Sequence, residues 1–242
     1  MKCILCKRDT DLCDSHIISS FNYKPLRQGE KPNFYELPTD SGESRAIVQD
    51  GPKEKLLCPE CEQLRSKWER YFSLLWNDGR LFADAYPVTI LDVEYPQLKL
   101  YQMSTLYLAS VSQHHFFQRV RMIEEREEQL RKMILSSSPG PSAEFGCVMY
   151  AMVHEEITDA RSMVSSGHTK EWNELRIHLF TFAGFLWVYV DGDTDLINSD
   201  LKARFVQRSN RLRIDGIDPT DIALLRESFD DLREQGKLDD PL

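Results

Sequence analysis

Two cysteine pairs constrain this chain more than any other feature: Cys3-Ile4-Leu5-Cys6 at the start and Cys58-Pro59-Glu60-Cys61 well downstream. A Cys-x-x-Cys turn sets two thiolates on one side of a tight backbone knuckle. Two such turns supply the four sulfurs that a tetrahedral zinc ion takes. The other reading of the same residues is a buried or redox-active set of thiols. Compartment bears on that choice. No run approaches the roughly 18 apolar residues needed to cross a bilayer, and the N-terminal residues lack the apolar segment of a signal peptide. The expectation is therefore a cytoplasmic protein with no membrane partner, where paired cysteines bind metal in preference to forming structural disulfides.

With 242 residues, 41% of them hydrophobic, the chain can bury a real core. The formal net charge of −9 excludes a protein that coats nucleic acid by bulk electrostatics. The acid lies downstream, because the first 80 residues balance Lys and Arg against Asp and Glu. An N-terminal module can thus present a local basic face to DNA or RNA through Arg45, Lys53, Lys55, Arg65, Lys67 and Arg70, although exposed bases beside acids read equally well as plain solvated surface. The acidic remainder suits a protein partner or self-association.

Between the cysteine pairs, Leu12-Cys13-Asp14-Ser15-His16-Ile17-Ile18 reads as a strand after the knuckle. Alternation puts Asp14 and His16 on one face and Cys13, Ser15 and Ile17 on the other. Residues 19–55 are rich in turn signals and read as a functional loop or insertion, with Phe21, Tyr23, Phe34 and Tyr35 as the points where it folds back. From Pro59 the pattern is helical, with Leu64, Trp68, Tyr71, Phe72 and Leu75 on one stripe. Cys61 and Glu62 then occupy the first turn, where the helix dipole favours negative charge.

Residues 98–135 predict one long helix, apolar in its first half and charged nearly all round from Glu124 to Lys132. The Ser136–Pro141 stretch stops it. Strands follow at 145–153, at 177–190 as a hairpin about Ala183-Gly184, and more weakly at 204–214. Thr158 to Ser165 and Glu171 to Arg176 fit short helices or loops, and Asp218-Pro219-Thr220 opens a last amphipathic helix through Ile222, Leu225, Phe229 and Leu232. Cys13, Cys147, His114, His115, His154, His168 and His178 show no ligand spacing and read as packing residues. The overall expectation is an α+β chain: a zinc module over residues 1–78, then a larger α+β domain over 79–242 with a long helix and an antiparallel sheet.

The order of knuckle, Ser15-His16-Ile17-Ile18 and Leu56-Leu57-Cys58-Pro59-Glu60-Cys61-Glu62 resembles the HNH endonucleases whose ββα-metal site rides on a zinc-bound treble clef. With Gln49-Asp50-Gly51 and Lys53-Glu54 it is also similar to a group of bacterial HNH-like proteins. The resemblance covers roughly residues 1–75. It implies structural zinc on Cys3, Cys6, Cys58 and Cys61, and hydrolysis of DNA phosphodiesters with one Mg²⁺ or Mn²⁺ ion. His16 matches the general base. The chain departs from the family at three positions. Ser15 stands where Asp or His commonly precedes the base, Lys53 where Asn is common, and Glu62 where His follows the last cysteine. Glu62 keeps ligand chemistry, and Asp14 can supply a further carboxylate. The competing readings are that His16 caps the strand or replaces a sulfur at zinc, that Glu62 only complements the helix dipole, and that the module is a non-catalytic zinc unit for nucleic-acid or protein recognition.

Overall fold

A computed structural model of the chain describes residues 1–24, 51–154, 160–222 and 226. The expected fold-back points Phe34 and Tyr35, the basic Arg45, and the body of the last amphipathic helix lie outside the described residues.

The N-terminal region is built from a knuckle, a two-stranded ribbon and a helix. The knuckle turns at Lys7, whose φ of 64° lies in the left-handed region, and closes with Cys3 N–H donating to the Arg8 carbonyl at 2.9 Å. Strand β1 (Asp14–His16) pairs antiparallel with β2 (Lys53–Lys55), with Ser15 opposite Glu54. Helix α1 (Pro59–Asn77) begins directly after Cys58, with Pro59 at its first position and Glu60 and Glu62 in its first turn. Its buried stripe is Cys61, Arg65, Trp68, Phe72, Leu75 and Trp76. The expected Leu64 lies only at the margin of that stripe, and a charged residue, Arg65, takes the central place.

The rest of the chain is a six-stranded sheet packed against helices. In order across the sheet come β3 (Val88–Ile90), β8 (Leu212–Ile217), β4 (Gly146–Met152), β7 (Phe185–Asp191), β6 (Leu175–Phe182) and β5 (His168–Trp172). All neighbours are antiparallel except β4 and β8, so the sheet is mixed, where the alternating pattern alone predicts an antiparallel one. The hairpin about Ala183-Gly184 forms as expected, with positive φ at both turn residues. The stretch from Glu171 to Arg176 is a second such hairpin, turning at Asn173-Glu174, and is neither a short helix nor a loop. Asn at the first turn position tolerates the left-handed conformation, which lets a turn form without glycine.

The expected single helix over 98–135 is two helices, α2 (Tyr95–Val111) and α3 (Glu124–Leu135). The chain leaves α2 at Ser112, where the Glu54 carboxylate accepts from the Ser112 hydroxyl at 2.7 Å and from the Gln113 N–H at 3.0 Å. A distant strand thus caps the chain at the break. Helix α2 is buried at every position from Leu98 to Ser110 and forms the centre of the molecule. A short helix, α4 (Ser199–Arg204), lies before β8 near the opposite face of the sheet.

One hydrophobic core runs from Cys3 and Leu5 through α1 and α2 to Ile214 on the sheet. Phe72 of α1 stacks on Tyr101 of α2 at 4.4 Å and meets Trp187 of β7 edge-on at 5.3 Å. The Trp76 indole N–H donates to the Ala183 carbonyl at 2.9 Å, so α1 grips the β6–β7 turn. Hydrogen bonds also tie the knuckle to the helices: the Tyr107 hydroxyl donates to the Ile4 carbonyl at 2.8 Å, and Arg131 of α3 donates to that of Leu5.

Candidate metal centre

The fold brings Cys3, Cys6, Cys58 and Cys61 together, with all four sulfurs within 4.8 Å of one another. None of the four is in a disulfide. Cys6 Sγ and Cys58 Sγ, one from each pair, are 3.7 Å apart. A tetrahedral ion with metal–sulfur distances of about 2.3 Å holds its sulfurs roughly 3.8 Å apart, so the cluster has the dimensions of a four-thiolate site. Cys3, Cys58 and Cys61 are buried and Cys6 is partly exposed.

The surroundings favour a negative sulfur at Cys6 and oppose one at Cys58 and Cys61. Cys58 N–H donates to Cys3 Sγ at 3.3 Å. Arg8 lies over the outer side of the cluster, its Nε 3.4 Å from Cys6 Sγ and its Nη2 3.8 Å from Cys58 Sγ. Burial pushes the Cys6 thiol up, but the hydrogen bonds led by Arg8 outweigh it and bring the group down to about 6. Burial pushes Cys58 and Cys61 up. The chain thus groups four thiols, some of which do not ionise readily alone, around a space where a cation would draw off their protons.

The residues expected at a second, catalytic cation are divided between the two faces of β1. On one face Asp14 pairs with its cross-strand neighbour Lys55 at 3.0 Å, and both are well exposed. His16, half-buried, shares that face by strand alternation. On the other face Ser15 is fully buried, and its hydroxyl donates to the Glu62 carboxylate of α1 at 2.7 Å. Ser15 and Glu62 stand at two of the three positions where the chain departs from the family pattern, and they touch. Asp14 and Glu62 contact different partners, Lys55 and Ser15. Among the described residues the four cysteines are the one group of three or more His, Cys, Asp or Glu side chains gathered within ligand distance.

Arg65, Glu69 and Ser19 organise this region, the latter two in roles that the sequence expectations do not include. Arg65 was expected among the basic residues that could meet phosphate, yet its side chain is 2% exposed. It donates to the carbonyls of His16 at 2.7 Å and Ile17 at 2.9 Å and pairs with Glu69 at 2.9 Å. Glu69 in turn accepts from the Ser19 hydroxyl at 2.6 Å. The planar fork of the guanidinium suits two successive carbonyls, and the pair holds the end of β1 against α1. A signal was there to find: Cys61, Arg65, Trp68 and Phe72 share one helical stripe, and Glu69 lies four residues after Arg65. Among the basic residues, Lys53, Lys55, Lys67 and Arg70 are exposed.

Fold and site together define a class: an α+β chain in which a cluster of four cysteines with the dimensions of a metal site joins a short ribbon to the start of a helix. Comparisons with protein-family models, with curated proteins and with solved structures find no match to the chain.

Proposed function

We propose that residues 1–78 form a zinc-stabilised, HNH-like nuclease module that hydrolyses DNA phosphodiester bonds. Cys3, Cys6, Cys58 and Cys61 hold structural zinc, a closed site with no open position for chemistry. The reacting groups lie beside it. The observation that carries the proposal is the Ser15–Glu62 contact at 2.7 Å, which sets a hydroxyl of β1 and a carboxylate of α1 together on elements joined by the cysteine cluster. Mg²⁺ is commonly held by one or two carboxylates with waters and substrate phosphate completing its shell, so this oxygen pair fits Mg²⁺ or Mn²⁺. When bound, the cation supplies charge stabilisation at the scissile phosphate. His16 is the base that would accept the proton of the attacking water; as the last residue of β1, on the face opposite Ser15 by alternation, it would have to reach round the strand end to do so. Arg65 holds the backbone of that histidine through its carbonyl. Lys53, opposite His16 on the ribbon, and exposed Lys55 offer charge to the phosphate backbone. Asp14, paired with Lys55 at 3.0 Å, would have to leave that ion pair to serve as a further ligand.

The test is cleavage of supercoiled plasmid with Mg²⁺ or Mn²⁺. Wild type is expected to cut, while His16→Ala and Glu62→Gln each lose at least about 100-fold, in the range of a general base. Equal cutting by wild type and His16→Ala would end the mechanism. A second reading is supported by a specific observation: Glu62 and Asp14 already have partners in Ser15 and Lys55. On that reading the module recognises nucleic acid or protein without catalysis. Calorimetric titration of the zinc-loaded protein separates the two, because a Glu62-dependent Mg²⁺ or Mn²⁺ site belongs to the enzyme alone.

A further inference from the structure

Arg8 is placed by the knuckle itself. Its carbonyl accepts from Cys3 N–H at 2.9 Å, one residue after the left-handed turn at Lys7, so the backbone that positions a sulfur also aims this side chain. The guanidinium spans the two cysteine pairs, with Nε toward Cys6 and Nη2 toward Cys58. The same Nη2 lies 3.3 Å from the Glu60 carboxylate on the first turn of α1. Cys6 is the partly exposed member of the four and the sulfur closest to Arg8. Four thiolates around a divalent ion leave a net charge of −2; besides Arg8, the Cys58 N–H also donates to sulfur, and the Glu60 side chain reaches Cys58.

We propose that Arg8 is an outer-sphere counter-charge for the four-cysteine metal centre, tethered by Glu60, and that it sets how tightly the ion is held and how slowly it leaves past Cys6. The proposal rests on the zinc reading above but not on nuclease activity. Arg8 is a positioning residue: it touches the ligands and not the metal. Groups that hydrogen-bond to metal ligands typically change affinity by about 10–100-fold when removed. Its side chain is 60% exposed, which gives the proposal a signature that packing would not share. Charge acting through solvent is screened as the Debye length falls from about 10 Å at 0.1 M salt to about 3 Å at 1 M.

The experiment measures Zn²⁺ affinity by chelator competition, and the rate of Zn²⁺ release to excess chelator, at about 0.1 and 1 M salt. Wild type, Arg8→Ala, Arg8→Lys and Arg8→Glu are compared, with far-UV circular dichroism of the loaded proteins as the folding check. Expected are an affinity about 10-fold or more lower and a faster release for Arg8→Ala, a larger loss for Arg8→Glu, and partial rescue by Arg8→Lys, with the differences shrinking at high salt. Zinc-binding wild type with an Arg8→Ala variant within twofold of it overturns the role of Arg8 and leaves the zinc reading standing. A loss that is the same at both salt concentrations overturns the counter-charge and assigns the effect to packing. Wild type that takes up no Zn²⁺ overturns the metal centre and Arg8 with it.

Discussion

Two regions of this molecule take polar atoms out of water, and they satisfy them in opposite ways. In the cysteine cluster the groups face one another and accept N–H donors from Cys58 and Arg8, around a space that fits a metal ion. In the interface between α2 and the sheet, Lys99 is fully buried and donates to the carbonyls of Phe145 at 2.7 Å and Ser142 at 3.1 Å. Farther along the sheet His178 is buried with its Nδ1 2.8 Å from the Thr169 hydroxyl oxygen. No charged partner forms an ion pair with either residue among the described ones. If a metal binds, the first region exchanges protons for a cation. The second disfavours charge by burial. On the zinc reading one is therefore conditional on metal and the other on pH.

Removing the metal is the largest perturbation this comparison allows. Apparent binding energies of structural zinc are about 10–16 kcal/mol near neutral pH, which exceeds the net stability of many domains. Cys58→Ser, or wild type held in excess chelator, is expected to lose the ribbon and the start of α1. The loss should spread to α2 and α3, because Tyr107 and Arg131 hold the knuckle carbonyls. Hydrogen exchange would read this as deprotection of residues 1–24 and 51–77 together with the facing amides of α2 and α3. Unchanged melting of Cys58→Ser would remove the metal centre from its place as the staple of the fold.

The second region breaks with pH. Burial brings Lys99 down to about 7, with Cys147 and Glu144 acting weakly in the other direction. The unfolded chain keeps that proton to about 10.4, so between pH 7 and 10 the unfolded state binds more protons and stability rises with pH. Below about 7 both states are protonated and the slope vanishes. Lys99→Met should flatten the rise, a difference of a few kcal/mol across the window at about 1.4 kcal/mol per unit. His178 acts on the acid side. Burial, aided by Arg176, lowers it to about 3, so it stays neutral in the fold while the unfolded chain protonates near 6.5. Stability is lost as pH falls from about 6.5 to 3, and His178→Gln should remove that share. Denaturant midpoints measured from pH 4 to 10 on the metal-loaded proteins would check both. A Lys99→Met variant with the wild-type slope would mean that the ammonium is stabilised as a charged group by its carbonyls.

The two regions also differ in how far a sequence discloses them. The cysteine set was legible because each pair is local and its spacing carries the chemistry. The burial of Ser15 beside an exposed Asp14 follows the strand alternation. Its meeting with Glu62 was not legible, because that depends on where α1 lies. The core was legible where a stripe was apolar and failed where a charge sat inside it: Arg65 needs the carbonyls of β1, and Lys99 needs those of the segment before β4, to be tolerable in the interior. The break between α2 and α3 was hidden for the same reason. Nothing in residues 98–135 announces it, since the group that holds Ser112 and Gln113 is Glu54. The Asn173-Glu174 turn was hidden by lacking glycine.

The smallest expected effect separates the two faces of β1. If Asp14 is only the partner of Lys55, Asp14→Asn removes an exposed ion pair, worth about 0.2–1 kcal/mol, and less at high salt. The cation titration and any plasmid cleavage then stay at the wild-type level, whereas Glu62→Gln abolishes both on the buried face. Should Asp14→Asn instead abolish cation binding, the side chain must leave Lys55 and the functional face must be the one shared with His16. The solvated face and the ligand face of β1 would then exchange roles. The result turns on one exposed carboxylate whose loss the fold itself should scarcely register, so a null effect on stability and a null effect on binding are both informative, and they can be read in the same sample.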